Sequence, residues 1–132
     1  MARKKSERIE QLTPLELEIM KVLWDTGPAS VQTVQQRLNR ELAYTTVQTM
    51  LNVLHRKRKV TRSLEDKAYF YSPAVSRRQV SGHALGDLIE RMFGGSPESL
   101  VMSLVETRRL TPEKLSQLQK LFEKESPDEQ DQ

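Results

Sequence analysis

Residues 43–56, AYTTVQTMLNVLHR, predict one helix with two chemically different sides. Val47, Leu51 and Leu54 recur at the spacing of a buried helical stripe. The opposite side carries hydroxyl, amide and guanidinium groups and no Asp or Glu, which is unusual for a solvated face. It contains Thr45, Thr49, Asn52 and Arg56, with Gln48 on its flank. Because such groups bond to base edges and phosphates in a major groove, this helix is a candidate for DNA recognition.

Basic residues are concentrated in the part of the chain that contains this helix. Residues 1–75 hold 13 Lys/Arg and 8 Asp/Glu, whereas residues 76–132 hold 8 and 10. Within residues 43–73 there are 6 basic and 2 acidic residues. A local basic excess attracts a phosphate backbone, although many basic surfaces never contact nucleic acid. The charge distribution is therefore supporting evidence for a DNA interface.

The segments on either side of this helix predict a mainly α-helical chain with a winged helix-turn-helix. Thr13 and Pro14 begin a first helix, and Ser30 caps a second one. After the third helix, strand-like runs at 60–64 and 68–72 surround a short charged tip, as in a β-hairpin. Three helices followed by a hairpin give the order of elements in a winged helix-turn-helix.

The rest of the chain predicts an all-helical region that pairs with a second copy. Its amphipathic helices are too short to enclose a core of useful size alone, so we expect a homodimer. The expected interface residues are Leu85, Leu88, Met92, Leu100, Leu104, Leu118, Leu121 and Phe122. The predicted domains are a flexible basic arm at 1–11, the winged helix at 12–74, the helical dimerisation region at 75–125 and a flexible tail at 126–132.

The basic and the aromatic residues of the predicted hairpin can each have one of two roles. Arg62 and Lys67 lie where a wing contacts DNA, but Lys and Arg also protect a solvated sheet edge against further strand pairing. Tyr69, Phe70 and Tyr71 could stack on the bases of a single strand. Aromatic residues that alternate along a two-stranded sheet more often pack on the helices beneath it, and we favour that interpretation.

The sequence offers little for catalysis or metal binding. It contains no cysteine, and its two histidines, His55 and His83, lie far apart. Glycine-rich phosphate loops and nucleophile elbows are absent. We therefore expect no catalytic residue, no metal and no cofactor. No apolar run approaches the ~18 residues of a membrane span, and no apolar segment follows the basic start, so we expect a cytoplasmic, nucleoid-associated protein without membrane insertion.

Three segments of the chain resemble the penicillinase repressor (BlaI/MecI) family of bacterial transcription regulators. They are AYTTV at 43–47, AYFYSP at 68–73 and LTPLELEIM at 12–20, and the resemblance covers about residues 12–125. It implies a winged helix that binds operator DNA and a C-terminal region that dimerises. By position, the DNA contacts would come from Thr45, Thr46, Gln48, Thr49 and Asn52 in the recognition helix and from Arg62 and Lys67 in the wing.

The resemblance also implies a role in gene regulation. Members of this family repress the genes for a β-lactamase or another resistance determinant, together with their own operon. A membrane sensor-protease relieves repression by cutting the repressor in its dimerisation region.

This chain departs from the family pattern at three points. Arg58 stands where the family tends to have Gly after the recognition helix, so the helix end differs or gains a phosphate contact. Ser103-Leu104 replaces the Asn–Phe type of cleavage dipeptide. The copper-responsive branch has a C-terminal cysteine motif, and the absence of cysteine here excludes Cu(I) sensing through thiolates.

Two functions from different classes are compatible with these features. The first is a homodimeric repressor that occludes promoters by binding palindromic operator DNA. The second is a winged helix that acts as a protein-interaction module, since fold alone does not decide function. The acid-poor face of residues 44–56 favours the repressor, because an adaptor has no reason to keep that face free of acidic residues.

Overall fold

The computed structural model describes the backbone of residues 11–130 and the side chains of residues 11–125. This part of the chain forms six helices and one two-stranded sheet. The helices are α1 Pro14–Thr26, α2 Val31–Arg37, α3 Tyr44–Arg56, α4 Arg77–Met92, α5 Pro97–Glu106 and α6 Pro112–Gln130, and the strands are β1 Val60–Glu65 and β2 Ala68–Pro73. The basic arm predicted at residues 1–11 lies outside the described residues apart from Gln11.

Helices α1, α2 and α3 pack around one hydrophobic core, which the hairpin completes. The stripe predicted on α3 is fully buried, because Val47, Leu51 and Leu54 have no exposed surface. The partners of this stripe are Ile19, Met20 and Leu23 of α1, Val31 and Val34 of α2, and Ala29, Leu38, Val60 and Tyr71. These contacts leave the opposite side of α3 facing solvent.

Side-chain caps fix where the first two helices begin. The Thr13 hydroxyl accepts from the amide of Glu16, and the Glu16 carboxylate accepts from the amide of Thr13, which forms a capping box. The Ser30 hydroxyl accepts from the amide of Thr33 at the start of α2. Both helices therefore begin at the residue after the predicted cap, and α1 ends where Gly27 adopts a φ of 78°.

The hairpin is antiparallel and is attached to the loop between α1 and α2. Glu65 pairs with Ala68, so only Asp66 and Lys67 form the tip, one residue fewer than predicted. Both tip residues have positive φ, 50° and 69°, as a two-residue hairpin turn of this hand requires. Ala29 and Tyr71 exchange backbone hydrogen bonds of 3.0 and 2.8 Å. Three helices followed by this hairpin form a winged helix-turn-helix.

Helix α3 ends in a left-handed turn at Arg58. The Arg58 amide donates to the His55 carbonyl, and the Lys59 amide donates to the Leu54 carbonyl, at 3.0 and 2.9 Å. Helices that end with this hydrogen-bond pattern usually have glycine at the left-handed position, because the residue there takes a positive φ. Arg58 has a φ of 65° and therefore carries the steric cost of a β-carbon in this conformation.

The Arg58→Gly variant is therefore expected to be more stable than the parent chain. Removing the β-carbon relieves the left-handed strain, which is partly offset by the greater freedom of glycine in the unfolded chain, for a net gain of about 0.5–1 kcal/mol. Urea unfolding of the two proteins measures this gain. Arg58→Ala is the matched control, since it removes the guanidinium but keeps the strain. Equal stabilisation by both variants would show that the gain comes from removal of the Arg58 charge and not from relief of backbone strain.

The described part of the chain divides into two compact units, with the division after Leu85. The domain boundary after residue 74 that the sequence suggests stays a prediction. In the second unit, Ser96 caps α5, and Arg108, with a φ of 66°, ends that helix in the same way as Arg58 ends α3. Helix α6 continues to Gln130 and so extends into the tail that the sequence predicts from residue 126.

Candidate nucleic-acid interface

The outward side of α3 exposes the polar residues that its spacing predicts. Thr45, Thr46, Gln48, Thr49, Asn52 and Arg56 are all exposed. The first turn of this helix holds no acidic residue, and no side chain caps its amides. The N-terminal amides of a helix attract anions, and the hydroxyl and amide side chains behind them can bond to base edges. The face thus combines groups suited to phosphates with groups suited to bases.

One face of the hairpin extends this surface away from the core. On that face Arg62 lies opposite Tyr71, and Leu64 lies opposite Tyr69. Tyr71 is buried, Arg62 is half-buried, and Leu64 and Tyr69 are exposed towards the tip. The Arg62 guanidinium lies over the Tyr69 ring, 4.3 Å from its centroid, so the ring limits where this cation can move.

Arg62 and Tyr71 both contact Asn52, which joins the hairpin to α3. The Arg62 Nη1 atom donates to Asn52 Oδ1 at 3.4 Å, and the Tyr71 hydroxyl donates to the same oxygen at 3.5 Å. Asn52 and Arg62, which the sequence assigns to different elements of the interface, are thus in direct contact. The sequence gives no reason to place Tyr71 beside them, because an aromatic residue in a strand is usually part of the core.

The basic residues at the end of α3 and after it differ in how far they are available to a ligand. Arg56 and Arg58 are exposed, and Lys67 is exposed at the hairpin tip. Lys59 is buried, with 3% of its surface exposed. Lys57 is engaged in an ion pair within the protein. Four of the 6 basic residues within residues 43–73 are therefore available to phosphates. They are Arg56, Arg58, Arg62 and Lys67.

The partner of Lys57 is Glu16, a buried carboxylate at the start of α1. The Lys57 Nζ atom lies 3.0 Å from both carboxylate oxygens of Glu16. The side chains of Glu16 and Lys57 are 3% and 20% exposed. Since Lys57 directly follows the last residue of α3, this pair ties the end of that helix to the start of α1. No sequence signal links two residues that are 41 positions apart, although Glu16 is visible as the acidic member of a capping box.

The aromatic residues of the hairpin and Trp24 differ in how deeply they are buried. Tyr71 is 1% exposed and belongs to the core, as the packing interpretation predicts. Tyr69 is 41% exposed and supports Arg62. Phe70 is half-buried and pairs with Ser63 on the other face of the hairpin. Trp24 is half-buried and donates from Nε1 to the Val75 carbonyl at 2.9 Å. Tyr71 and Trp24 therefore belong to the winged helix and not to a stacking platform.

Residues 11–125 contain no group of three His, Cys, Asp or Glu side chains that could hold a metal ion. None of the helices in residues 11–130 is long and apolar enough to cross a membrane.

The residues predicted to form a dimer interface are accessible in the single chain. Helices α4 and α5 bury no residue. Leu85, Leu88, Met92, Leu118, Leu121 and Phe122 are exposed, and Leu100 and Leu104 are half-buried. On α6 the apolar residues line an open groove together with Gln119 and Glu125. Exposed apolar surface of this kind indicates an interaction site.

Comparison with known sequences identifies the family of this chain. The sequence profile of the penicillinase repressor family matches residues 12–124. The chain is 26% identical over 122 residues to the penicillinase repressor of Bacillus licheniformis, covering 89% of this chain and 93% of that protein. It is 34% identical over 103 residues to the transcriptional regulator BlaI of Mycobacterium tuberculosis, covering 75% of each.

Among solved structures, the chain is similar to the monomeric form of Bacillus licheniformis BlaI in complex with the blaP half-operator. The TM-score is 0.47 and the identity 29%, and the match covers 53% of this chain and 88% of that one. The family profile begins at the start of the winged helix and ends at residue 124, close to the end of the described part of the chain. The chain therefore belongs to the penicillinase repressor family.

Proposed function

We propose that this member of the penicillinase repressor family is a homodimeric transcriptional repressor that binds double-stranded operator DNA. The observation that carries the proposal is the outward face of α3, which is free of acidic residues, exposes hydrogen-bonding groups and lies beside a hairpin with available cations. An operator ligand would place the protein at the nucleoid in the cytoplasm. Repression would follow from occlusion of the promoter.

The proposed DNA contacts divide into two kinds. Thr45, Thr46, Gln48, Thr49 and Asn52 would meet base edges in the major groove, while Arg56, Arg62 and Lys67 would supply positive charge beside the backbone. Contacts to bases determine sequence preference, whereas contacts to phosphates position the protein on any sequence. The α3 face therefore accounts for specificity in this proposal, and the wing accounts mainly for affinity.

Dimerisation would arise from the apolar residues that the second unit exposes. A second copy can bury Leu118, Leu121 and Phe122 of α6, which a single chain leaves 50%, 55% and 74% exposed. Two winged helices related by a twofold axis would then bind two inverted half-sites, so the operator would be a palindrome. The genes under its control would be those of a β-lactamase, another resistance determinant or a stress response.

A membrane sensor-protease would release the repressor from DNA by cutting it, and the structure of α5 limits how readily this cut can occur. Ser103 and Leu104 occupy the position of the family's cleavage dipeptide and are half-buried within the helix Pro97–Glu106. Proteases bind extended peptides, so cutting at this position would require local unwinding of α5. Any cleavage of this chain should therefore be slow while α5 is folded.

The experiment that tests the proposed function is selection of a random double-stranded DNA library with the purified protein. An enriched inverted repeat supports the repressor, and its position upstream of particular genes identifies the regulon. Salt-sensitive binding without a preferred sequence contradicts a specific repressor. No binding at all favours the alternative of a protein-interaction module.

The Lys67→Gln variant is expected to bind operator and random DNA more weakly by about the same factor. Lys67 lies at the exposed tip of the hairpin, where it would neutralise a phosphate without contacting a base. Loss of one phosphate contact should reduce the slope of log affinity against log salt by about 1. Titrations at several salt concentrations measure this slope. Lys120→Gln, which removes an exposed lysine of α6, should leave the slope unchanged; an equal change in both variants would contradict the wing assignment.

A further inference from the structure

We propose that Arg62 and Tyr71 hold the Asn52 side chain so that its amide nitrogen faces the DNA, which makes Asn52 a reader of guanine. This inference rests on the proposed function, since it assigns a base to one residue of the same interface. The two positioning residues lie on the hairpin, and the residue that they position lies on α3. The hairpin would therefore contribute to sequence preference as well as to affinity.

The orientation of the Asn52 amide follows from the chemistry of its neighbours. A guanidinium has only hydrogen-bond donors, so the atom of Asn52 that faces Arg62 has to be the carbonyl oxygen. The Tyr71 hydroxyl contacts the same atom, at 3.5 Å against 3.4 Å for Arg62. Two donors thus occupy Oδ1, and both come from the hairpin, where Arg62 and Tyr71 are paired across β1 and β2. The Nδ2 group keeps its two N–H donors for a ligand.

The surroundings of Arg62 help to keep this arrangement in place. The Tyr69 ring lies under the guanidinium at 4.3 Å, and Tyr71 is 1% exposed within the core. A buried tyrosine has little freedom to move its hydroxyl, because its ring is packed on all sides. Asn52 itself is exposed, so its free amide group can reach a DNA base.

A donor-only group discriminates between the bases of a major groove. Guanine presents two acceptors, N7 and O6, which match the two N–H groups of Nδ2. Adenine presents one acceptor and one donor, and an asparagine pairs with both only when its oxygen is free. Because Oδ1 of Asn52 is already engaged by two donors, the guanine edge fits this residue better than the adenine edge.

The test is library selection with the parent chain, Asn52→Ala, Tyr71→Phe and the control Tyr69→Phe. Asn52→Ala identifies the base pair that depends on Asn52, and the parent should prefer G·C there. Tyr71→Phe should lower that preference roughly three- to tenfold, which corresponds to the loss of about one hydrogen bond. The preferences at the other base pairs should stay unchanged. A buried residue cannot contact DNA, so this change would act through Asn52. Tyr69→Phe removes an exposed hydroxyl of the same hairpin face and should leave the preference intact.

A second variant covers the case in which Tyr71→Phe folds poorly. Arg62→Met removes the donors from a half-buried position on the hairpin and should also reduce the preference for G·C at the Asn52-dependent base pair. A preference for A·T at that base pair in the parent would overturn the inference, as would an unchanged preference in folded Tyr71→Phe and Arg62→Met. Failure of the parent to enrich any sequence would instead overturn the proposed function, and the inference with it.

Discussion

The Phe122→Asp variant is expected to be a monomer that binds the full operator at least a hundredfold more weakly than the parent chain. Phe122 is 74% exposed in the single chain, so the substitution removes little that stabilises the fold of one copy. In the proposed dimer the same position would be buried, and an unpaired carboxylate is costly to bury. The substitution should therefore act on association and leave folding nearly intact.

The loss of affinity follows from the geometry of a palindrome. When one winged helix of a dimer is bound, the second meets its half-site at a high effective concentration, which adds about 10²- to 10⁴-fold to the affinity. A monomer loses this factor on the full operator and keeps its affinity for an isolated half-site. Titration of both DNA fragments therefore separates loss of dimerisation from damage to the DNA-binding surface.

Sedimentation gives the direct measurement. The parent should have about twice the mass of the 15.3 kDa chain, and Phe122→Asp should have the mass of one chain. Ser116→Asp is the matched control, because it adds the same charge to an exposed position of α6 that does not line the apolar groove. If Phe122→Asp stays dimeric, the α6 groove is not the interface.

Local signals in the sequence predict most of the fold. Threonine and serine caps mark the starts of α1, α2 and α5, because their side chains satisfy amides that a helix leaves free. The period of Val47, Leu51 and Leu54 identifies the buried side of α3 and, by exclusion, the side that faces solvent. Signals of this kind act over a few residues, so they can be recognised without knowing the tertiary structure.

The parts of the site that the sequence does not reveal depend on tertiary contacts. The hairpin tip is one residue shorter than predicted because Lys67 adopts a positive φ, which its residue type does not signal. The bridge between Ala29 and Tyr71 is a single pair outside any strand pattern. The contact between Arg62 and Asn52 depends on how the hairpin lies against α3. The candidate DNA residues were thus identifiable by type and spacing, while their mutual contacts were not.

The Glu16–Lys57 pair is the ion pair whose removal we expect to cost the most stability among those of the described residues. Glu16 accepts from the Thr13 amide and from Lys57, and its side chain is 3% exposed. The carboxylate lies at the N-terminal end of α1 and the ammonium at the C-terminal end of α3, so each charge also complements a helix dipole. Removing either partner leaves the other without its counter-charge in a largely buried position.

Glu16→Ala should therefore lower the free energy of unfolding by about 2–3 kcal/mol, through loss of the capping hydrogen bond and of the ion pair. This cost lies below the range for fully buried pairs because the Lys57 side chain is 20% exposed and its ammonium can turn towards water. Glu16→Gln separates the two contributions. Its amide oxygen can still accept from the Thr13 amide, whereas its charge is lost, so it should cost less than Glu16→Ala.

A double-mutant cycle on Glu16→Gln and Lys57→Met decides whether the pair is coupled. Each single variant leaves one charge without its partner, whereas the double variant leaves neither, so its cost should be smaller than the sum of the single costs by about 1–2 kcal/mol. Urea unfolding at neutral pH measures all four proteins. Arg40→Met serves as a control, because the Arg40–Glu18 pair has side chains that are 52% and 35% exposed and an exposed pair should contribute less than about 1 kcal/mol. Additive costs for Glu16→Gln and Lys57→Met would show that the end of α3 is held by packing and not by this ion pair.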